Sequence, residues 1–262
     1  MTKQTGLQRI QNAFNHKAFI PFITCGDPNL DTTKNIIRTL AKNGADIIEL
    51  GIPFSDPTAE GAVIQAANLR ALKNQVTSDD IFQMVAELRQ ELSVPMVIMT
   101  YANVVFSYGT ERFIEKAATV GIDGLILPDV PFEEKDEFSQ VCQQFELAFI
   151  SLIAPTSKNR IEKIAQKATG FLYCVSSLGV TGVRQNINTD LASMIATVRK
   201  VNPTLPVAIG FGIATSKQAK KMSQLADGVI IGSAIVQQIA NYQQQAPHHL
   251  TKYAQEICQA IR

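Results

Sequence analysis

Ile47-Ile48-Glu49-Leu50-Gly51-Ile52-Pro53-Phe54-Ser55-Asp56-Pro57-Thr58-Ala59-Glu60-Gly61 joins a short β-branched run to a turn and then to the start of a helical pattern. The run from Asp46 to Leu50 has the character of a fully buried strand with one carboxylate, Glu49, near its C-terminal end. Gly51 and Pro53 end that strand, and Ser55-Asp56-Pro57 carries turn chemistry with a possible helix cap. A second carboxylate, Glu60, follows eleven positions after Glu49. Burying a charge in an apolar strand is costly unless it is paired or protonated. Glu49 therefore reads as a functional acid ahead of a capped structural one.

Working outward, the same alternation of strand and helix fills the chain. Strand-like runs are expected at Phe19–Thr24, Asp46–Leu50, Pro95–Thr100, Gly124–Leu127, Ala148–Ile153, Phe171–Val175, Pro206–Ile209 and Gly228–Ile231. Each precedes apolar residues at helical spacing, as in Ile36, Ile37, Leu40 and Ala41. Near-continuous apolar strands belong in a parallel sheet covered by helices. Eight such units in 262 residues predict an α/β fold, a closed (β/α)8 TIM barrel. An open doubly wound sheet would show a glycine-rich fingerprint after its first strand, where Cys25-Gly26-Asp27-Pro28 gives only a turn. An extra N-terminal helix (about Thr2 to Asn15) and extra helical segments (Thr58–Leu72, Ser78–Leu92) are expected. No linker or composition shift divides the chain, so 1–262 reads as one barrel domain. Gly44-Ala45-Asp46, Gly121-Ile122-Asp123 and Leu225-Ala226-Asp227 enter strands alike and mark the bottom of the barrel, the face that serves stability.

Composition narrows the partners. With 46% hydrophobic residues the chain supports a sizeable core, and a net charge of +1 without a basic block points away from nucleic acid and anionic membranes. No apolar run approaches the ~20 residues that span a bilayer. The segment Met1 to Asn15 is polar and amphipathic rather than a signal peptide. Cys25, Cys142, Cys174 and Cys258 lack metal or redox spacing and suggest a reduced, cytoplasmic protein.

In a barrel, chemistry comes from the C-terminal ends of the strands. Those ends offer Thr24, Glu49, Met99, Tyr101, Asn103, Asp129, Ile153, Tyr173, Gly210 to Gly212, Gly232 and Ser233. Lacking His or paired Cys, they do not suit zinc or iron; lacking Lys, they do not suit a Schiff-base aldolase. Acid–base chemistry by carboxylates remains. Gly210-Phe211-Gly212-Ile213 after strand seven and Gly232-Ser233-Ala234-Ile235 after strand eight fall where this fold usually cradles phosphate. Phe22, Met99, Tyr101, Leu127, Ile153, Tyr173 and Phe211 add apolar walls at the same face. Together these suit a flat aromatic substrate with a phosphorylated tail. The polar, glycine-rich stretch from Ser176 to Asn186 is expected to act as a lid.

Nearly end to end, these motifs resemble the tryptophan synthase alpha subunit family. The resemblance rests on Glu49-Leu50-Gly51-Ile52-Pro53-Phe54-Ser55-Asp56-Pro57 and on Ile64-Gln65-Ala66-Ala67-Asn68-Leu69-Arg70. It extends through Met99-Thr100-Tyr101-Ala102-Asn103, Leu127-Pro128-Asp129-Val130-Pro131, Gly179-Val180-Thr181-Gly182 and the two glycine loops. It implies a (β/α)8 barrel that cleaves indole-3-glycerol phosphate to indole and glyceraldehyde 3-phosphate, within an αββα complex. The chain itself would need no cofactor or metal; pyridoxal phosphate belongs to the partner β subunit, which receives the indole. Carried over by position, Glu49 would shuttle protons and Glu60 would stabilise charge at the indole N–H, although the family usually has Asp there. Phe22, Met99, Tyr101, Leu127, Ile153, Tyr173, Thr181, Gly182, Phe211, Gly212, Gly232 and Ser233 would bind substrate. Phe54, Asp56, Pro57 and Thr58 would face the β subunit, Thr58 standing where the family has an apolar residue. Two other readings stay open: a different phosphosugar lyase or isomerase on the same scaffold, and a barrel that only activates its partner.

Overall fold

The computed structural model describes residues 4–157, 159–176, 190–210 and 212–262. Nine parallel strand segments stand in the order β5-β4-β3-β2-β1-β9-β8-β7-β6. They are β1 (Ala18–Thr24), β2 (Ile48–Gly51), β3 (Met96–Met99), β4 (Gly124–Ile126), β5 (Ala148–Phe149), β6 (Ser151–Ile153), β7 (Leu172–Val175), β8 (Val207–Gly210) and β9 (Gly228–Ile231). The segments β5 and β6 are two halves of one run, parted at Ile150; the first pairs with β4 and the second with β7. The expected eight strands are therefore present, and the divided fifth one closes the ring.

Helices alternate with the strands around the outside. In order they are α1 (Gly6–Ala13), α2 (Leu30–Lys42), α3 (Ala62–Lys73), α4 (Ser78–Leu88), α5 (Ala102–Tyr108) and α6 (Thr110–Val120), then α7 (Asp136–Gln144), α8 (Ile161–Lys167), α9 (Asp190–Val201), α10 (Ser216–Ser223), α11 (Ser233–Tyr242) and α12 (Ala246–Ile261). The extra helical segments expected between the second and third strands are α3 and α4. α3 begins four residues later than the periodicity suggests, because residues 58–61 are a loop that carries Glu60.

Side chains alternate across the barrel wall, as strand geometry requires. Ile20, Phe22, Ile47, Val97, Met99, Ile126, Tyr173 and Ala208 pack inside the ring; Phe19, Ile23, Ile48, Leu50 and Ile98 pack outward against the helices. Helix α1, closed by a capping box between Thr5 and Gln8, plugs the bottom. Its Ile10 and Ala13 join the inner cluster, and burying Ile10 fully contributes about 2 kcal/mol.

The three strand-entry aspartates share one structural task. Asp46 accepts the Phe19 N–H at 2.8 Å and returns its own N–H to the Phe19 carbonyl at 2.9 Å. Asp123 does the same with Met96, both bonds at 2.8 Å, and Asp227 with Val207, again both at 2.8 Å. Each carboxylate also meets a guanidinium: Arg262 at Asp46, Arg9 and Arg89 at Asp123, Arg199 at Asp227. The Asp-to-strand repeat thus rivets neighbouring strands at the N-terminal face. β2 starts at Ile48, two residues after the expected Asp46.

Candidate active site

Glu49 lies on β2 in register with Phe22 on β1 and Val97 on β3, on the inward rank with Ile47. It is 1% exposed, and neither carboxyl oxygen has a hydrogen-bond partner among the described residues. Burial pushes its pKa up to about 8, and the nearby Glu60 carboxylate pushes in the same direction. A carboxyl group so placed holds its proton at neutral pH and can give it to a substrate.

Glu60 reaches the same space from the loop before α3. The Asn68 amide, two helical turns later, donates to its Oε2 at 2.6 Å. Burial raises the Glu60 pKa, while hydrogen bonds from Asn68 and Tyr101 oppose that rise. The two acids therefore sit in different surroundings: Glu49 has no donor, and Glu60 has two. That difference separates a proton donor from a group better suited to stay charged. Asn68 was not anticipated as a site residue. Its signal was present in the sequence: on the buried α3 face of Ile64, Ala67, Asn68 and Ala71 it is the one strongly polar side chain.

Both acids line the same opening. Phe22, Met99, Tyr173, Gly212, Gly232 and Ser233 line it with them, as do Ile213 and Ala234 of the two glycine loops, and Ala59, Ile64, Ala214 and Ile230, which the sequence did not single out as site residues. Leu127 and Ile153 line the neighbouring opening, which shares Ala59, Met99 and Tyr173 with the first. Tyr101 lines neither. It is 2% exposed, and its hydroxyl accepts the Ala59 N–H at 3.1 Å. Its place is beneath the Glu60 loop, which it holds together with Phe54, whose ring stacks on it at 5.0 Å. In that loop Ser55, Asp56 and Thr58 are exposed and Pro57 is half-buried. Thr181, Gly182, Phe211 and the expected lid beyond Ser176 lie outside the described residues.

One wall is backbone. Gly232 precedes α11, and the first-turn N–H groups of Ser233 and Ala234 have no acceptor within the helix. A Cβ at Gly232 would meet only Phe22, at 3.4 Å or more. The fold has room for a side chain there, so the missing Cβ leaves space for a ligand. Gly212 differs, since its φ of +77° favours glycine whatever binds nearby. At α10 the Ala214 N–H is already given to Gln218 at 2.9 Å, leaving Gly212 and Ile213 to face the opening. Room for the Tyr173 ring comes from Gly210, where a Cβ would fall 2.5 Å from the hydroxyl. Among the described residues no three His, Cys, Asp or Glu side chains gather as a metal site requires.

A family model described as tryptophan synthase alpha chain matches residues 9–262. The tryptophan synthase alpha chain of Lacticaseibacillus casei is 48% identical over 247 residues, covering 94% of this chain and 92% of that one. Among solved structures, tryptophan synthase of Mycobacterium tuberculosis superposes with a TM-score of 0.88 at 30% identity, covering 99% of both chains. A tryptophan synthase α2β2 complex from the hyperthermophile Pyrococcus furiosus gives 0.86 at 34% identity, over 93% of this chain and 98% of that one.

Proposed function

Since the chain belongs to the tryptophan synthase alpha chain family, which cleaves indole-3-glycerol phosphate to indole and glyceraldehyde 3-phosphate, we propose that Glu49 and Glu60 carry that cleavage in this protein. The observation that carries the assignment is the buried, donor-free Glu49 carboxyl, held protonated to about pH 8 beside a second acid that has two donors. Glu49 first gives its proton to indole C3, and the positive charge that develops at the ring N–H is stabilised by Glu60. The Glu49 carboxylate then takes the proton of the hydroxyl carried by the glycerol carbon of the scissile bond. The C–C bond breaks, its electrons return to the ring, and loss of the added charge leaves indole and the aldehyde. Protons balance, and no electron acceptor is required.

The longer Glu60 is supported at two points, by Asn68 and by Tyr101. This is the support expected if the glutamate has been accommodated where relatives carry aspartate. The phosphate is assigned to the N–H groups of Gly212, Ile213, Ser233 and Ala234, and the indole to the space between Phe22, Met99, Leu127, Ile153 and Tyr173. Thr181, Gly182 and Phe211 are proposed to complete the site. The chain acts as one barrel domain in the cytoplasm, a reading that rests on four free buried thiols and, among the described residues, on no helix long and apolar enough to cross a membrane. Its partner is a pyridoxal-phosphate-dependent β subunit in an α2β2 assembly, met by the exposed Asp56 and Thr58 with Phe54 and Pro57. No cofactor is assigned to this chain.

Replacing Glu49 with Gln keeps the shape and removes the proton. Indole release from indole-3-glycerol phosphate should fall by more than the ~10²–10⁴ typical of one acid–base group, because the residue acts twice. Activity within tenfold of the parent would remove Glu49 from the mechanism.

A further inference from the structure

The second opening extends beyond the substrate space. Its far part lies behind the barrel wall, between β6 and helices α7 and α8, and is lined by Phe132, Lys135, Phe149, Ser151 and Ile164. Lys135, at the start of α7, keeps only 6% of its surface, and among the described residues its ammonium makes neither a hydrogen bond nor an ion pair. Its ammonium lies 5.3 Å from the centre of the Phe132 ring. The rim guanidinium, Arg160, is already paired with Glu133 at 3.1 Å. Asp136 beside it and Lys167 oppose one another electrostatically at Lys135. Ser151 is 6% exposed, and its hydroxyl has no partner either.

A buried hydroxyl without a partner is costly in a folded protein, and an ammonium at the end of a buried side chain with only an aromatic ring beside it leaves its N–H donors free for a ligand. That they line one crevice with aromatic and aliphatic walls gives them a common explanation. We propose that this crevice is a binding site for a small carboxylate with an apolar body: its carboxylate accepts from Lys135 and Ser151, and its body packs against Phe132, Phe149 and Ile164. One ammonium and one hydroxyl match a monoanion; a phosphate dianion usually draws several N–H donors or a guanidinium fork. The opening as a whole shares Met99 and Tyr173 with the catalytic pocket, but the proposed ligand lies in its far part. None of the residues that would hold it belongs to the proposed cleavage machinery.

Calorimetric titration of the full chain with benzoate, acetate and inorganic phosphate tests the site. Benzoate is expected to bind about tenfold or more tighter than acetate, and Lys135→Met to weaken it about tenfold while indole release stays unchanged. Ser151→Ala should weaken it less. Benzoate that does not bind, or binds Lys135→Met equally well, overturns the site, the latter because an occupant of the catalytic pocket would not depend on Lys135. Equal binding of acetate and benzoate, or tighter Lys135-dependent binding of phosphate, overturns the ligand class.

Discussion

Replacing Glu49 with Gln should make the stability of the protein rise relative to the parent as pH increases. Glutamine is isosteric and stays neutral at every pH, so it isolates the cost of ionising a buried carboxyl group. The pKa rises from the ordinary 4.5 to about 8 in the fold. At about 1.4 kcal/mol per tenfold change in proton affinity, that interval amounts to about 5 kcal/mol at full titration. The sign follows from proton counting. Below pH 4.5 both folded and unfolded chains hold the proton, and the stabilising contribution of the neutral form is fully present. Between 4.5 and 8 the unfolded chain releases its proton while the folded chain keeps it, so stability is lost as pH rises through this window. The variant lacks this slope. Urea unfolding of both proteins at pH 5, 6, 7 and 8 should show the difference widening by about 1.4 kcal/mol per unit, to about 3 kcal/mol at pH 7 relative to the acid limit. Burying an amide in place of the acid adds a constant offset and leaves the slope untouched. A difference that stays flat within about 0.5 kcal/mol would mean that Glu49 ionises in the fold near its ordinary value, and the reasoning would fail.

Three further substitutions probe other parts of the structure. Gly232→Ala should leave stability within about 0.5 kcal/mol, because its Cβ meets only ordinary contacts, yet weaken glycerol 3-phosphate binding severely; unchanged affinity would move the phosphate elsewhere. Gly210→Ala should disable the site by colliding with Tyr173, and Tyr173→Phe should not rescue it, since Cε1 and Cζ stand 2.6 and 2.7 Å from the new atom; Tyr173→Ala should relieve the collision, and rescue by Phe would show that the hydroxyl alone matters. Asp123→Ala removes the acceptor shared by Arg9, Arg89 and the Met96 N–H and should cost about 3–5 kcal/mol in urea unfolding with little effect on KM; a loss under 1 kcal/mol would reduce the strand-entry rivets to ornament.

The barrel was legible because its strands are apolar without interruption and its turns carry Gly, Pro and Asp where the chain reverses. Glu49 was legible for a related reason: a lone carboxylate in such a strand breaks the pattern. Four features were hidden. The division of the fifth strand at Ile150 arises because its two halves pair with different neighbours, a property of ring closure that no local pattern records. The late start of α3 reflects the tertiary need to bring Glu60 toward Glu49, which overrides helical spacing. Tyr101 reads as one more aromatic wall, and only the fold shows that its hydroxyl turns under the loop to Ala59. Lys135, in a polar run, gave no sign that its side chain is buried.

The central claim is that Glu49 enters the reaction as an acid. The pH dependence of kcat/KM for indole release reports the protonation state of the free enzyme. The rate is predicted to be level through neutrality and to fall about tenfold per pH unit above about 8, where the buried carboxyl loses its proton. A rate that instead climbs with pH from 7 to 9 would show that the ionised carboxylate begins the reaction, and would contradict the account.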